Sequence, residues 1–171
     1  MQNFLKKTFQ SWDEFQKEFI QVCDTYHQPI NIRSSETLKK FEGMFPQMVA
    51  KFRYQRVIYK CVHSEDVRRT KTDGSRPNQN TACISCPFRF TVKYDFEVKQ
   101  LFIHPEYNLE HNHDIGGEKY NDYPFVKKRK LTEMPQAIDT AKMLIEAKAT
   151  NFETRQLIQE TYGNYCVNYV S

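Results

Sequence analysis

Four residues in the middle of the chain have the types and spacing of a metal-ligand set. Cys61 is followed after 24 residues by Cys86, and after 24 more by His111-Asn112-His113. Two thiolates and two imidazoles complete the four-coordinate shell of a structural zinc ion. Because alternate residues of an extended strand face the same side, His111 and His113 could both reach one ion. The pattern therefore predicts a zinc site that ties three distant segments together.

The same residue types leave other ligand assignments open. Cys83 forms a C-x-x-C pair with Cys86, and His63 lies two residues after Cys61, so Cys83 or His63 could replace a proposed ligand. The long gaps between the ligands differ from the short loops of common zinc fingers. A cysteine outside a metal site is often a small buried apolar residue. We interpret Cys23 in that way, because it lies beside the apolar stripe of a predicted helix.

Composition indicates a folded chain rather than a disordered one. The 171 residues include 14% aromatic residues and few glycines, a balance that favours a packed core. No apolar run is long enough to span a membrane, and the N-terminus lacks the apolar region of a secretion signal. The odd number of cysteines, without such a signal, predicts reduced thiols in an intracellular compartment rather than disulfides.

Positive charge is concentrated in the segment that contains the predicted ligands. Residues 51–100 carry eleven basic and five acidic residues, a net charge of +6, whereas the whole chain has a net charge of +4. A concentrated positive charge suggests a polyanionic partner such as double-stranded DNA, although a solvated basic loop would give the same count. The candidate DNA contacts in this segment are Arg53, Arg68, Arg69, Lys71 and Arg76.

A helix and an antiparallel sheet are predicted to position these residues. Residues 11–14 match a capping box, and an apolar stripe from Phe15 to Tyr26 predicts a helix that ends near His27. Alternating apolar and polar side chains predict the strands that follow. These strands are expected at 30–41, 49–62, 88–94 and 98–104.

The rest of the chain is predicted to form a basic linker and a helical hairpin. The linker, 115–131, ends in a basic run with the composition of a nuclear-import signal or of an arm that contacts phosphates. That run is Lys127, Lys128, Arg129 and Lys130. Apolar residues at helical spacing over 132–165 predict two helices, the second capped by Asn151, as a plain hairpin or a helix-turn-helix. The end of the chain carries no boundary signal, so we expect a longer parent protein.

A family resemblance rests on three motifs. They are Tyr59-Lys60-Cys61, Cys86-Pro87-Phe88-Arg89 and Glu110-His111-Asn112-His113-Asp114. The motifs resemble the WRKY and glial-cells-missing group of zinc domains, and more closely the far-red-impaired-response type of DNA-binding domain. That type is found at the N-termini of Mutator-like transposases and of host proteins derived from them, and zinc finger SWIM-domain proteins carry a similar region. The resemblance covers about Phe9 to Asp114.

The resemblance implies a fold and a ligand set. The group has a four- or five-stranded antiparallel sheet that holds Zn²⁺, here through Cys61, Cys86, His111 and His113. The predicted fold class is therefore α+β, with an N-terminal helix, this sheet stapled by one zinc over 9–114, and the C-terminal helical hairpin. The long basic loop between the cysteines departs from the short gap of the group.

The resemblance also implies which strand would approach DNA. The first strand of WRKY members enters the major groove, and here the equivalent strand would be 30–41. It lacks the WRKY heptapeptide, so the base-reading contacts of that group do not transfer. The positional candidates are Arg33, Ser34, Ser35, Thr37, Lys39 and Lys40. Arg33 could pair bidentately with guanine.

Together these patterns predict a zinc-dependent DNA-binding module of a nuclear, transposase-derived protein that acts in transcription regulation or transposon-end recognition. Its expected partners are double-stranded DNA and other nuclear proteins, with no membrane and no small-molecule substrate. The alternative is a protein-protein interaction module that kept the zinc fold but lost DNA binding. We expect no catalysis, because four protein ligands close the ion to water and no Gly-rich phosphate loop or nucleophile elbow occurs.

Overall fold

The computed structural model describes residues 1–64 and 84–162. The chain divides into two compact units, Met1–Ile115 and Gly116–Ser171. Within the described ranges, no helix is both long and apolar enough to cross a membrane. Several residues named from the sequence lie outside these ranges, namely Arg68, Arg69, Lys71, Arg76 and Cys83.

Five antiparallel strands form the sheet of the first unit, in the order β1-β5-β4-β3-β2. The strands are β1 (Thr8–Phe9), β2 (Ile30–Thr37), β3 (Tyr54–Cys61), β4 (Arg89–Asp95) and β5 (Gln100–Ile103). The helices of this unit are α1 (Gln2–Leu5), α2 (Trp12–Tyr26) and α3 (Pro46–Phe52). Together with the helices that follow the sheet, this architecture confirms the predicted α+β class.

Helix α2 begins and ends where the sequence predicts. The Glu14 N–H donates to the Ser11 hydroxyl at 3.1 Å, while the Glu14 carboxylate accepts from the Gln10 N–H at 2.6 Å. The bond from Glu14 satisfies one of the N–H groups that the first turn of a helix leaves without partners, and the bond from Gln10 fixes the chain just before the cap. His27 ends the helix in the left-handed conformation, at φ 50°. Cys23 is buried in the last turn, in agreement with its interpretation as a core residue.

Aromatic rings bury one face of the sheet beneath α2. Tyr59 of β3 and Phe90 of β4 lie directly opposite each other and stack at 4.9 Å. Phe19 of α2 contacts these two rings at 4.6 and 5.9 Å. Phe15, one turn earlier, is fully buried and lies 5.8 Å from Tyr59. Rings at these separations contribute offset and edge-to-face contacts in addition to the burial of apolar area.

The third strand is shorter than predicted. The sequence indicated a strand over 49–62, but Pro46–Phe52 form helix α3. Pro46 lies in the first turn of that helix, where its missing N–H would have had no partner. Arg53 then adopts φ 60° and separates the helix from the strand.

The second strand also ends earlier than the predicted 30–41. It stops at Thr37, and Lys39–Phe41 form a single 3₁₀ turn. Leu38 is fully buried, and its N–H donates to the Arg53 carbonyl at 3.0 Å. This anchor draws the chain away from the sheet edge, so Lys39 and Lys40 lie beyond the strand.

The second unit is helical. Its helices are α4 (Gly117–Asp122), α5 (Pro124–Thr132), α6 (Pro135–Glu146) and α7 (Asn151–Tyr162). The first two occupy most of the segment interpreted from the sequence as a linker, 115–131. Helices α6 and α7 pack through the buried side chains Ala137 and Ile158.

Thr150, rather than the predicted Asn151, caps α7. The Glu153 N–H donates to the Thr150 hydroxyl at 3.2 Å, and the Glu153 carboxylate accepts from the Thr150 N–H at 2.9 Å. This reciprocal pair is a capping box in which the threonine precedes the glutamate by three residues. The sequence contains this signal, Thr150 followed three residues later by Glu153, one residue before the predicted cap Asn151.

The buried aromatic contacts predict unequal effects of two substitutions on α2. We expect Phe15→Ala to reduce the free energy of unfolding by about 3–5 kcal/mol, because it leaves a cavity in the core. Tyr26 ends the same predicted stripe but is 48% exposed, so Tyr26→Ala should cost less than about 1 kcal/mol. Urea denaturation of the two variants measures both values. Equal losses of unfolding free energy in the two variants would show that α2 does not bury the face that carries Phe15.

Candidate metal centre

The four predicted ligands converge at one end of the sheet. Cys61 is the last residue of β3 and Cys86 precedes β4, whereas His111 and His113 follow β5. One ligand atom from each residue lies within 4.8 Å of all the others. Both cysteines are buried and both histidines are partly buried. The arrangement therefore forms a group that can hold a metal ion.

The distances between the ligand atoms fit a tetrahedral zinc ion. Cys61 Sγ lies 3.2 Å from His113 Nε2, Cys86 Sγ lies 3.3 Å from His111 Nδ1, and the two nitrogens are 3.2 Å apart. Around zinc with ordinary bond lengths, two nitrogens would be about 3.3 Å apart and a sulfur and a nitrogen about 3.6 Å apart. The observed separations are close to these values, so the donor set and its spacing both suit zinc.

A bend, not a strand, brings the two histidines together. The segment around them is irregular, contrary to the strand end expected from the H-x-H spacing. His111 presents Nδ1 to the group while His113 presents Nε2. The Asn112 side chain between them donates to the Ile84 carbonyl at 2.9 Å, which ties the bend to the residues before Cys86.

Each histidine also has an acceptor for its outer ring nitrogen. His111 Nε2 lies 2.8 Å from Gln28 Oε1, and His113 Nδ1 lies 3.1 Å from the Asp114 carbonyl. If each outer nitrogen carries the proton, the inner nitrogen keeps its lone pair for a metal. Gln28 is itself buried and donates to the Tyr26 carbonyl at 3.0 Å, so its carboxamide is fixed in this orientation.

Burial favours the uncharged forms of two of the ligands, His111 and Cys61. Burial lowers the pKa of His111 to about 4, and the neighbouring His113 and His63 act in the same direction. Burial also raises the pKa of Cys61 to about 12, opposed in part by the His63 N–H that donates to its sulfur at 3.4 Å. A neutral imidazole is ready to bind a metal, whereas the thiol must lose its proton. A bound cation would supply the charge that makes this loss favourable.

His63 has a structural place beside the group. Its carbonyl accepts the N–H groups of Ile84 and Cys86 at 3.1 and 3.0 Å, which fixes the chain that leads to the second thiol. Its ring lies 4.6 Å from the ring of His113, but His63 is not a member of the four-residue group. The other rival ligand, Cys83, lies outside the described residues.

Phe88 joins the metal group to the core. Its ring stacks on His111 with the centroids 4.4 Å apart and lies 6.4 Å from the ring of Phe90. Phe88 is almost fully buried. The orientation of His111 therefore depends on the aromatic core as well as on Gln28.

Four of the DNA contacts predicted from the sequence lie within the described residues, on three different parts of the first unit. Arg33 is exposed in β2, at an irregularity in its pairing with β3. Arg53 forms a 2.9 Å ion pair with Asp13 of α2, on the side of the sheet that the helix covers. Lys39 and Lys40 lie in the 3₁₀ turn, with the Lys40 ammonium above the ring of Phe41.

The outer face of the sheet carries a basic cluster that the sequence analysis missed. Arg56 pairs directly with Lys93, and Lys60 pairs directly with Arg89, across β3 and β4. We call these four residues the basic face. Like charges at directly opposed positions destabilise a sheet. Within the described part of the chain, Arg56 alone of the four forms an ion pair, with Glu36 at 3.4 Å. Alternation along the chain puts Arg56 and Lys60 on one face of β3, and Arg89 and Lys93 on one face of β4, but only the register pairs them.

The basic run predicted as an import signal is part of helix α5. Lys127 forms a 2.9 Å ion pair with Asp122, and its side chain is only 15% exposed. Lys130 donates to the Asn121 side chain at 2.7 Å, and Arg129 donates to the Tyr120 hydroxyl at 3.2 Å. Lys128 is the exposed member of the run.

Comparison with protein families places most of the chain in a zinc-finger family. Residues 4–113 match the family described as "Zinc finger SWIM domain-containing protein 3, N-terminal". A search of curated proteins gave no significant match. A solved structure titled "Crystal structure of AFT2 in complex with DNA" aligns with 84% of this chain and 94% of its own, at 12% identity and a TM-score of 0.39. A TM-score of this size does not demonstrate a shared fold.

The geometry predicts that His113 is a ligand and that His63 is not. We expect His113→Ala to lose bound zinc and to unfold at a lower temperature, because metal binding and folding are coupled. We expect His63→Ala to keep its zinc, since the backbone of His63 makes the contacts described above. Metal analysis and thermal melting of both purified variants test this. Retention of zinc by His113→Ala, or its loss only from His63→Ala, would contradict the assignment.

The contact with His111 predicts that Gln28 supports metal binding without touching the metal. Gln28→Leu should weaken zinc affinity by about 10- to 100-fold, the usual effect of removing an outer acceptor from a ligating histidine. Gln28→Glu, which keeps an acceptor oxygen, should restore most of the affinity. Gln21→Ala, at an exposed position of α2, serves as the control. Competition with a chelator of known affinity measures these values, and equal affinities for Gln28→Leu and Gln21→Ala would contradict the role.

Proposed function

The chain belongs to the family of zinc finger SWIM domain-containing protein 3 N-terminal regions, and from that premise we propose that it is a zinc-dependent DNA-binding module. The proposed ion is Zn²⁺, held by Cys61, Cys86, His111 and His113. The two-thiolate, two-imidazole donor set, its spacing and the acceptors behind both imidazoles support zinc over harder cations, which prefer oxygen ligands.

The basic face is the observation that carries the DNA-binding proposal. Its four cations are held in two cross-strand pairs on adjacent strands that lie about 5 Å apart. Repulsion within each pair opposes folding. A polyanion removes that repulsion, because phosphate groups neutralise the cations and release the counterions of DNA. Arg33 in the neighbouring edge strand would extend the contact toward the rim of the sheet.

Zinc has a positional role in this proposal. Cys61 directly follows Lys60, and Cys86 lies three residues before Arg89, so one ion fixes the ends of both strands that carry the basic face. The metal therefore holds the register that places the cations opposite each other. Four protein ligands leave no open position for water, which supports a binding role and no catalysis.

We further propose a nuclear protein of transposase ancestry that acts in transcription regulation or transposon-end recognition. This proposal depends on the resemblance of the Cys-Pro and His-Asn-His motifs to far-red-impaired-response domains. The basic run Lys127, Lys128, Arg129 and Lys130 is the proposed import signal. Because three of these side chains are engaged within their own unit, Lys128 is the member most accessible to a receptor.

The basic face predicts a specific combination of effects on binding and stability. We expect the double variant Lys60→Gln/Arg89→Gln to bind duplex DNA more weakly and to reduce the slope of log K against log salt by about 2, one for each lost phosphate contact. Its thermal stability should be unchanged or higher, since an unfavourable like-charge pair is removed. Binding to a random 20-base-pair duplex at several salt concentrations, measured with zinc-loaded protein, tests both expectations.

The matched control is Lys6→Gln/Lys17→Gln, which removes the same charge from exposed positions outside the basic face. It should leave the salt slope unchanged. Equal slopes for the two double variants would reject the basic face as the DNA surface. A complete lack of DNA affinity in the zinc-loaded parent at low salt would favour the alternative function, a protein-interaction module.

A further inference from the structure

An apolar cavity lies at the end of the sheet opposite the metal centre. It has a volume of about 360 Å³ and is lined by Phe41, Phe45, Met48, Phe52, Tyr94 and Phe96. Phe52 precedes β3, whereas Cys61 ends that strand, so the length of β3, about 26 Å, separates the cavity from the metal group. The cavity is therefore separate from the metal group. It is also separate from the basic face, because Tyr94 lies on the buried side of β4, opposite Lys93.

Contacts among its own residues hold the cavity in shape. Tyr94 contacts Phe52 at 4.6 Å and Phe96 at 5.0 Å, and Phe96 contacts Phe41 at 5.4 Å. The Asp95 carboxylate accepts the N–H groups of residues 97 and 98 at 2.8 and 3.1 Å. These bonds brace the tip of the β4-β5 hairpin, which forms one wall, so an occupant would meet a formed site.

Apolar surface continues beyond the cavity itself. Met44 is 68% exposed, Phe45 55%, Phe96 46% and Val98 61%. Exposed apolar residues scattered singly need no explanation, but a contiguous patch beside a cavity is typical of an interaction surface. A small ligand seated in the cavity would leave Met44 and Val98 exposed, whereas a polypeptide could cover them.

The charge around the cavity indicates the kind of polypeptide. Lys51 and Lys99 are the charged residues that line it. The ammonium groups of Lys51 and Lys40 lie 5.4 and 5.1 Å from the ring centroids of Phe52 and Phe41. An occupant with bulky apolar side chains and flanking carboxylates would match both the aromatic lining and the cationic rim.

We propose that this cavity binds a short amphipathic segment of a partner protein, in which bulky apolar residues are flanked by aspartate and glutamate. The inference goes beyond DNA binding, because it uses a separate surface. Single-stranded nucleic acid is a weaker match, because its bases stack on aromatic platforms along a basic groove, whereas these rings line a concavity with two cations at its edge.

The test uses the full zinc-loaded chain and three fluorescein-labelled synthetic peptides of equal length. The first carries leucines at i, i+3, i+4 and i+7 with aspartate or glutamate elsewhere, the second has the same composition scrambled, and the third has lysine in place of every acid. We expect fluorescence anisotropy to show binding of the first peptide only. Amide NMR shifts should then localise to the β4-β5 hairpin and α3.

Two pairs of variants connect the binding to the cavity. Phe96→Ser should weaken binding about tenfold or more, whereas Tyr107→Ser, at an exposed position outside both the lining and the neighbouring apolar patch, should have little effect. Lys51→Glu/Lys99→Glu should weaken binding about tenfold, whereas the single change Lys17→Glu on α2 should not. Circular dichroism checks that Phe96→Ser remains folded. If that variant unfolds, Lys51→Glu/Lys99→Glu still tests whether the peptide binds at the cavity.

Several results would overturn the proposal. One is equal binding of the acidic and lysine peptides, and another is binding that Lys51→Glu/Lys99→Glu leaves unchanged. Binding of decanoate or of an oligothymidine at this site, without binding of the acidic peptide, would assign the cavity to another class of ligand. DNA binding by the basic face is measured with different variants. Failure of the peptide-binding proposal would therefore not affect the DNA-binding proposal, and the reverse also holds.

Discussion

Convergence of four donor atoms is the constraint on which the first unit depends. The atoms come from three segments that are separated by two gaps of 24 residues, yet they lie within 4.8 Å of one another. Closing loops of this length has an entropic cost that the few contacts of an irregular segment do not easily offset. A structural zinc site contributes about 10–16 kcal/mol, comparable to the whole stability of a typical domain, about 5–15 kcal/mol. We therefore regard metal binding as part of folding.

The metal group and the core are physically continuous. Rings follow one another from Phe19 through Tyr59 and Phe90 to Phe88, which stacks on His111. The helix contributes a second connection, since Gln28 follows the end of α2 and holds the outer nitrogen of the same histidine. A change in helix packing should therefore reach the metal group. Strands β3 and β4 carry core rings on one face and the basic face on the other. Both faces therefore depend on the same register between these two strands.

The sequence predicted the features that depend on local chemistry. The capping box of α2 and the alternation in β4 are each visible within a few residues, and the four ligands were recognised by their residue types and spacing. The structure contains all three features. Features that depend on long-range pairing were missed. Nothing near Gln28 marks it as the partner of a histidine 83 residues away. Arg56 and Lys93 become a like-charge pair only when the register of β3 and β4 is known. The strand signal over 49–62 failed at its start because short helices such as α3 carry too few residues to show a period.

The most direct test of the account is X-ray absorption at the zinc edge, on the full chain purified with its native metal. Coordination by all four residues predicts two sulfur ligands at about 2.3 Å and two nitrogen ligands at about 2.0–2.1 Å, with no additional light ligand. Such a shell would show that both thiols and both imidazoles coordinate one zinc ion and leave no position for water. A shell with one sulfur, or outer-shell scattering from only one imidazole, would contradict the four-ligand assignment and the structural role of the site.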